Sequence, residues 1–178
     1  MQTEVTAALN SRFAKVKILL CDVDGILTDS SIFIGLDHEI KRFHIRDGLG
    51  LVMLRKEGIK VGWVSNRPST ATKLRAEELK IDFLVQDKGN KVEKVEAILA
   101  ETGFKWDEVC YMGDDVVDLG VLKRAGVAAT VADAITEAKA AAHYITQAKG
   151  GQGAVREVVE LILKAQNHWE RLVAEHSA

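Results

Sequence analysis

The chain has few of the residues that would hold a fold together without a core. It contains one proline, Pro68, and two cysteines, Cys21 and Cys110. Each cysteine lies in an apolar, strand-like run with no partner at a zinc-ligand spacing. Both therefore read as reduced core thiols in a reducing compartment. A formal net charge of -2 gives no electrostatic case for nucleic-acid binding. The apolar runs are far shorter than a membrane span. Residues 1-15 include Glu4, Arg12 and Lys15 and lack the apolar stretch of a signal peptide. The expectation is a cytoplasmic protein with no membrane or nucleic-acid partner. No repeat or low-complexity linker interrupts it.

What the sequence does have is core. A length of 178 residues with 47% hydrophobic and 28% charged content suits one soluble globular domain over 1-178. Apolar strand-like runs fall at about 17-22, 60-65, 82-86, 109-112, 126-130 and 143-145. Helical patterns lie between them at about 48-57, 69-80, 90-102, 116-124 and 134-141, with a longer one at about 154-166. This alternation predicts an α/β fold, a three-layer doubly wound parallel sheet with helices on both faces. Chemistry in such folds sits at the carboxyl ends of the strands. Asp22, Ser65, Gln86 and Gly113 fall there.

One segment breaks the alternation. Ser31-Ile32-Phe33-Ile34-Gly35 and Ile40-Lys41-Arg42-Phe43-His44-Ile45 read as two strands of a β-hairpin inserted at about 30-46. The turn between them is Leu36-Asp37-His38-Glu39. A lone hairpin is marginal in water, and this one is rich in isoleucine and phenylalanine. A neighbouring subunit is the expected partner. The tail, 167-178 with Trp169, reads as helical and weakly anchored, resting on a neighbour or flexible.

Two acidic clusters carry the chemistry. Asp22-Val23-Asp24-Gly25 closes the first strand. Paired carboxylates there suit attack on a phosphate, with Asp22 as nucleophile and Asp24 moving a proton to the leaving group and from water. Gly25 lets the chain turn away. Gly113-Asp114-Asp115-Val116-Val117-Asp118 closes the fourth core strand. Hard oxygen ligands in this place suit magnesium. A helix cap with first-turn acids explains one or two of these residues, but not all three together with Asp22 and Asp24. Ser65 could hold a phosphoryl oxygen, although Ser65-Asn66 before a proline is also an ordinary cap. Lys91, with Lys88 and Lys94 as competitors, could neutralise phosphate and Asp22. Gly150-Gly151-Gln152-Gly153 does not have the dinucleotide spacing, and nucleotide binding is rejected on that ground.

In this order, Asp22-x-Asp24, Ser65, Lys91 and Gly113-Asp114-Asp115-x-x-Asp118 resemble the four-motif signature of the haloacid dehalogenase superfamily, in its phosphatase form. The resemblance implies an aspartyl-phosphate on Asp22. It also implies Mg²⁺ held by the Asp22 side chain, the Asp24 backbone carbonyl and Asp114, with Asp115 and Asp118 as outer or alternative ligands. No folded cap fits between the motifs. The chain is similar to the capless subfamily that acts on 8- and 9-phosphates of long-chain keto sugar acids. Matching stretches are Leu20-Cys21-Asp22-Val23-Asp24-Gly25-Ile26-Leu27-Thr28-Asp29, Phe43-His44-Ile45-Arg46-Asp47-Gly48-Leu49-Gly50 and Gly150-Gly151-Gln152-Gly153-Ala154-Val155-Arg156-Glu157. The subfamily implies a homotetramer whose hairpins pack together and whose subunits close one another's sites. It commonly has Ser-Gly-Arg where this chain has Ser65-Asn66-Arg67, which adds bulk beside the phosphate.

A keto-acid phosphate also carries a carboxylate, which suits arginine's planar fork. Candidates are Arg67 first, Arg46 second, then Arg75 and Arg156. Asp47 and Gly48 are expected to form a helix cap facing the site. His44 reads more as structural than as a hydroxyl contact. His44-Ile45-Arg46-Asp47 and Arg67 favour an eight-carbon acid over a nine-carbon one. A non-catalytic tetramerising module and a phosphorylated receiver domain are the readings from other classes. The intact motif set argues against the first. The early place of the paired aspartates argues against the second.

Overall fold

The structure is a computed structural model that describes residues 6-35 and 39-177. Helix α1 (Ala7–Phe13) was not expected from the sequence; the Thr6 hydroxyl caps it by accepting from Leu9 N at 3.2 Å. Then come β1 (Ile18–Cys21), the hairpin strands β2 (Phe33–Ile34) and β3 (Glu39–Ile40), α2 (Ile45–Lys56) and β4 (Lys60–Val64). Next are α3 (Thr70–Leu79), β5 (Phe83–Val85), α4 (Lys91–Thr102) and β6 (Val109–Met112). The chain ends with α5 (Leu119–Leu122), β7 (Val127–Thr130), α6 (Thr136–Ala141), β8 (Tyr144–Ile145), α7 (Ala154–Ala165) and α8 (Trp169–His176). Short 3₁₀ turns cover Trp106–Glu108 and Val116–Asp118. No described helix is long and apolar enough to cross a membrane.

All six expected core strands form one parallel sheet in the order β5-β4-β1-β6-β7-β8. Strand β1 is central. Its Ile18-Leu19-Leu20-Cys21 run is fully buried, as a strand covered on both faces requires. Helices α1, α2 and α7 pack together, while α4, α5 and α6 form a second group. Both cysteines are free and buried in the core.

Three expectations need correction. The hairpin ladder holds two residues per strand, pairing Phe33 with Ile40 and Ile34 with Glu39. The expected second strand stops at Ile40, because Lys41 turns inward to a buried ion pair and Ile45 already opens α2. The turn tip, 36-38, lies outside the described residues. The expected helix 116-124 is a 3₁₀ turn followed by only four α-helical residues, since Asp115 and Asp118 cap the turn. Finally, α8 is well anchored. Leu172 is fully buried, the Arg156 guanidinium lies 5.0 Å over the Trp169 ring, and Glu57 accepts from His168 and pairs with Arg171.

The glycine-rich loop has a packing role. Gly151 N donates to Ile26 O at 3.0 Å, and Gly150 N to Asp133 Oδ1 at 3.0 Å. A Cβ at Gly150 would fall on the Gly25 carbonyl oxygen, and one at Gly151 on the Thr28 backbone. The loop thus braces the segment that follows Asp22. Gly150→Ala should displace that segment, at a cost of about 1–3 kcal/mol for overpacking. A melt should show Tm lowered by roughly 2–12 °C for a chain of this size; an unchanged Tm would mean the loop is not braced as described.

Candidate active site

Each site residue sits where a strand ends or a helix begins. Asp22 follows β1, and its N–H continues the sheet ladder by donating to Met112 O at 2.8 Å. Ser65 follows β4 and donates its N–H to Val85 O at 2.8 Å. Lys91 is the first residue of α4, a start defined by Asn90, whose Oδ1 accepts from Val92 N at 2.9 Å. Asp114 follows β6 by two residues, past Gly113, whose carbonyl accepts from Thr130 Oγ1 at 2.7 Å.

The centre is a buried charge cluster. Lys91 Nζ lies 2.9 Å from Asp22 Oδ2 and 2.7 Å from Asp118 Oδ1. Asp118, wholly enclosed, also accepts from Tyr111 Oη at 2.6 Å and from the N–H groups of Asp114 (3.1 Å) and Asp115 (3.2 Å). Oxygens of Asp22, Asp114 and Asp118 all lie within 4.8 Å of one another. Asp114 Oδ1 is buried without a hydrogen-bond partner. Gly25, at φ 91°, lies so close that a Cβ there would fall inside the Asp114 carboxylate. Clustered acids, one of them with an unpartnered buried oxygen, fit a hard divalent cation. Asp115 is exposed and caps the 3₁₀ turn, outside this group.

Electrostatics match that reading. Burial, then the charge of Asp118, raises the Asp22 carboxyl above its ordinary range, and Lys91 opposes them. Burial, then Asp22, Asp118 and Asp115, raises Asp114 to about 7. Burial works to depress the Lys91 ammonium, but Asp22 and Asp118 outweigh it and its pKa is raised.

The competing lysines separate clearly. Lys94 Nζ donates to Asn66 Oδ1 at 2.6 Å, to Ser65 O at 3.4 Å and to Asp87 O, which fixes the turn after β4. Lys88 is exposed. The Ser65 hydroxyl closes its own turn, accepting from Arg67 N at 3.0 Å.

The sequence missed the charges that surround Asp24. Lys41, fully enclosed, places Nζ 2.7 Å from Asp24 Oδ1. Glu39 of the hairpin takes the Arg67 guanidinium on both oxygens and accepts from the Ser69 hydroxyl. Glu39 in the expected turn and Lys41 in an alternating strand gave no signal of burial. Tyr111 could have been suspected, since a hydroxyl within an apolar strand needs a partner.

The remaining arginines differ in place. Arg46 is exposed in the first turn of α2. Arg75 bonds Glu78 at 2.6 Å and lies against Gly48, and Arg156 bonds Glu160 at 2.9 Å. The buried Asp47 carboxylate accepts from Arg156 N at 2.7 Å at the start of α7, so it joins two helices.

The cation reading has a pH consequence. Asp114 holds its proton to about 7 in the folded chain against an ordinary 3.8, so between these values the fold binds more protons than the unfolded chain. Metal-free stability from this group is full below 3.8 and lost as pH rises through about 7. Mg²⁺ needs the ionised carboxylates. The rise in Tm on adding Mg²⁺ should therefore be larger at pH 8 than at pH 5. A larger rise at pH 5 would contradict the site.

Comparison with known proteins agrees with this geometry. A family of haloacid dehalogenase-like hydrolases matches residues 80–158. The chain is 39% identical over 160 residues to the 3-deoxy-D-manno-octulosonate 8-phosphate phosphatase of Yersinia pestis, covering 89% of this chain and 86% of that one. It is 34% identical over 163 residues to the same enzyme of Escherichia coli K12, covering 91% and 87%. The crystal structure of the Moraxella catarrhalis phosphatase, in complex with magnesium, phosphate and KDO, superposes with a TM-score of 0.92 at 36% identity, covering 94% of this chain and 97% of that one. With its parallel sheet, its acidic strand ends and these relatives, the chain belongs to the 3-deoxy-D-manno-octulosonate 8-phosphate phosphatase family of haloacid dehalogenase-like hydrolases.

Proposed function

We propose that this single-domain chain is a Mg²⁺-dependent phosphatase that hydrolyses 3-deoxy-D-manno-octulosonate 8-phosphate through a phosphorylated Asp22. The observation that carries this is Lys91 bridging Asp22 and Asp118 at the carboxyl ends of the strands, beside Asp114. Mg²⁺ held by Asp22, the Asp24 carbonyl and Asp114, with Asp118 supporting, would neutralise the phosphate dianion and polarise it.

Asp22 is held for attack. Oδ1 accepts from Val23 N at 2.7 Å and Oδ2 is paired with Lys91, so the carboxylate has little freedom to turn. An Asp22 oxygen bonds phosphorus as the bond to the leaving oxygen breaks, and Asp24 gives that oxygen a proton. Water then attacks the acyl-phosphate, and Asp24 takes its proton. Lys91 offsets charge on the phosphoryl oxygens. The hydrogen bond to Glu39 raises the Arg67 pKa against the opposing effect of burial, and the charges of Glu39 and then Asp24 add to the rise, so the turn at Ser65, Asn66 and Arg67 feels the Asp24 charge. Arg67, on exchanging its Glu39 partner, and Arg46 are the groups for the substrate carboxylate, with Asp47 and Gly48 of α2 and Arg75 of α3 as the further substrate-binding residues.

A phosphate-release screen over sugar phosphates tests the reading. The eight-carbon 8-phosphate should turn over fastest and EDTA should abolish turnover. Preference for the nine-carbon 9-phosphate would move the substrate, and no release from any keto-acid phosphate would reject the function. Asp22→Asn should abolish release while leaving the fold intact by circular dichroism; wild-type-like turnover would remove the nucleophile.

The assembly belongs to the same proposal. Phe33, Ile34, Ile40 and Ile45 are exposed at 64%, 83%, 55% and 73%, a concentration of exposed apolar side chains that soluble chains seldom leave uncovered. Hairpins of several subunits covering one another would bury them in a homotetramer. Phe33→Asp should dissociate it, because an unpaired buried carboxylate is costly. Light scattering that finds a fully active wild-type monomer would overturn this.

A further inference from the structure

The arm leaving the hairpin carries a charge with no part in the reaction so far. Lys41 Nζ is enclosed between Asp24 Oδ1, at 2.7 Å, and the Thr72 hydroxyl, at 3.3 Å. A buried ammonium is strongly unfavourable without a counter-charge, so Lys41 and Asp24 hold one another in place. The grip is one-sided. Asp24 Oδ1 is buried and meets Lys41 as an ion pair with no hydrogen-bond partner of its own, yet the side chain keeps 25% exposure, which leaves Oδ2 as the oxygen open to the site. Arg67, the other cation near Asp24, is occupied by Glu39. The Lys41 backbone is fixed in turn, because β3 ends one residue before it and Phe43 stacks on Trp63 of β4 with ring centroids 6.0 Å apart.

We infer that Lys41 is a positioning residue for Asp24, anchoring one carboxyl oxygen so that the other meets the leaving group, and that it makes this alignment depend on the seating of the hairpin arm. The inference rests on the acid–base reading of Asp24. The proton given to the leaving oxygen comes from Asp24 and is restored from water.

A double-variant cycle tests it on the purified full chain. Positioned acid–base groups contribute about 10²–10⁴-fold, and Lys41→Met should forfeit at least about tenfold of kcat on 3-deoxy-D-manno-octulosonate 8-phosphate, with KM within about twofold. Lys41→Arg should recover part of the loss. In an Asp24→Asn background, Lys41→Met should cause no further loss. The nitrophenolate burst from p-nitrophenyl phosphate, whose leaving group needs no proton, should slow by less than about threefold. Additive losses, equal slowing on both substrates, or wild-type kcat in Lys41→Met would each overturn the inference. If Lys41→Met does not fold, the same cycle run with Lys41→Arg decides it. A wild-type chain inactive on every alkyl phosphate would remove the proposed function itself, whereas additive losses in an active wild type remove only this step.

Discussion

One ammonium group set among carboxylates governs this molecule. Lys91 lies within hydrogen-bonding distance of Asp22 and Asp118, and both are buried. Gathering such acids out of water is unfavourable unless each lone pair is met. The surroundings meet them with specific parts. Asp118 is shared by Lys91, Tyr111 and two backbone N–H groups. It is the bracket that keeps Lys91 pointed at Asp22. Asp114 is the member left with an unpartnered oxygen.

A second set of charges lies over this centre and comes from the hairpin arm. Glu39 holds Arg67, and Lys41 holds Asp24. The hairpin is therefore tied to two turns of the sheet's carboxyl edge, after β1 and after β4. Its ladder is too short to stand alone. Polar ties on one side and an exposed apolar face on the other suit an element that links the site to an assembly.

The sheet was legible because its strands are apolar runs of strand length separated by helical periodicity, as at Ile18–Cys21 and Val109–Met112. The placement of Asp22, Lys91 and Asp114 was legible because paired acids after a buried strand suit neither a core nor a solvated face. Lys91 was set apart from Lys94 by its place in the four-motif signature and not by its local sequence: both lie on the first turn of α4, three residues apart, and the rotation of that helix, set by its Asn90 cap, separates them. Lys41 was hidden for a similar reason. Its partner is distant in sequence, and a lysine in an alternating strand looks solvated until the strand is seen to end. The anchorage of α8 was missed because it depends on Glu57, far from it in the chain, and on Arg156 at the other end of the preceding helix.

The register of β1 also bears on how the molecule is made. Residue 18 pairs with residue 60 on one side and residue 109 on the other. The strand carrying Asp22 leaves the ribosome before either neighbour, so it is unpaired until β4 is synthesised and is not flanked on both sides until β6 follows. Such non-local parallel pairing is slow to form and leaves apolar edges uncovered meanwhile. The acidic cluster cannot exist in any shorter nascent chain, because Asp114 and Asp118 arrive only with the segment that completes the centre of the sheet. Assembly of the acidic cluster and completion of the sheet's centre are thus a single event in the life of the chain.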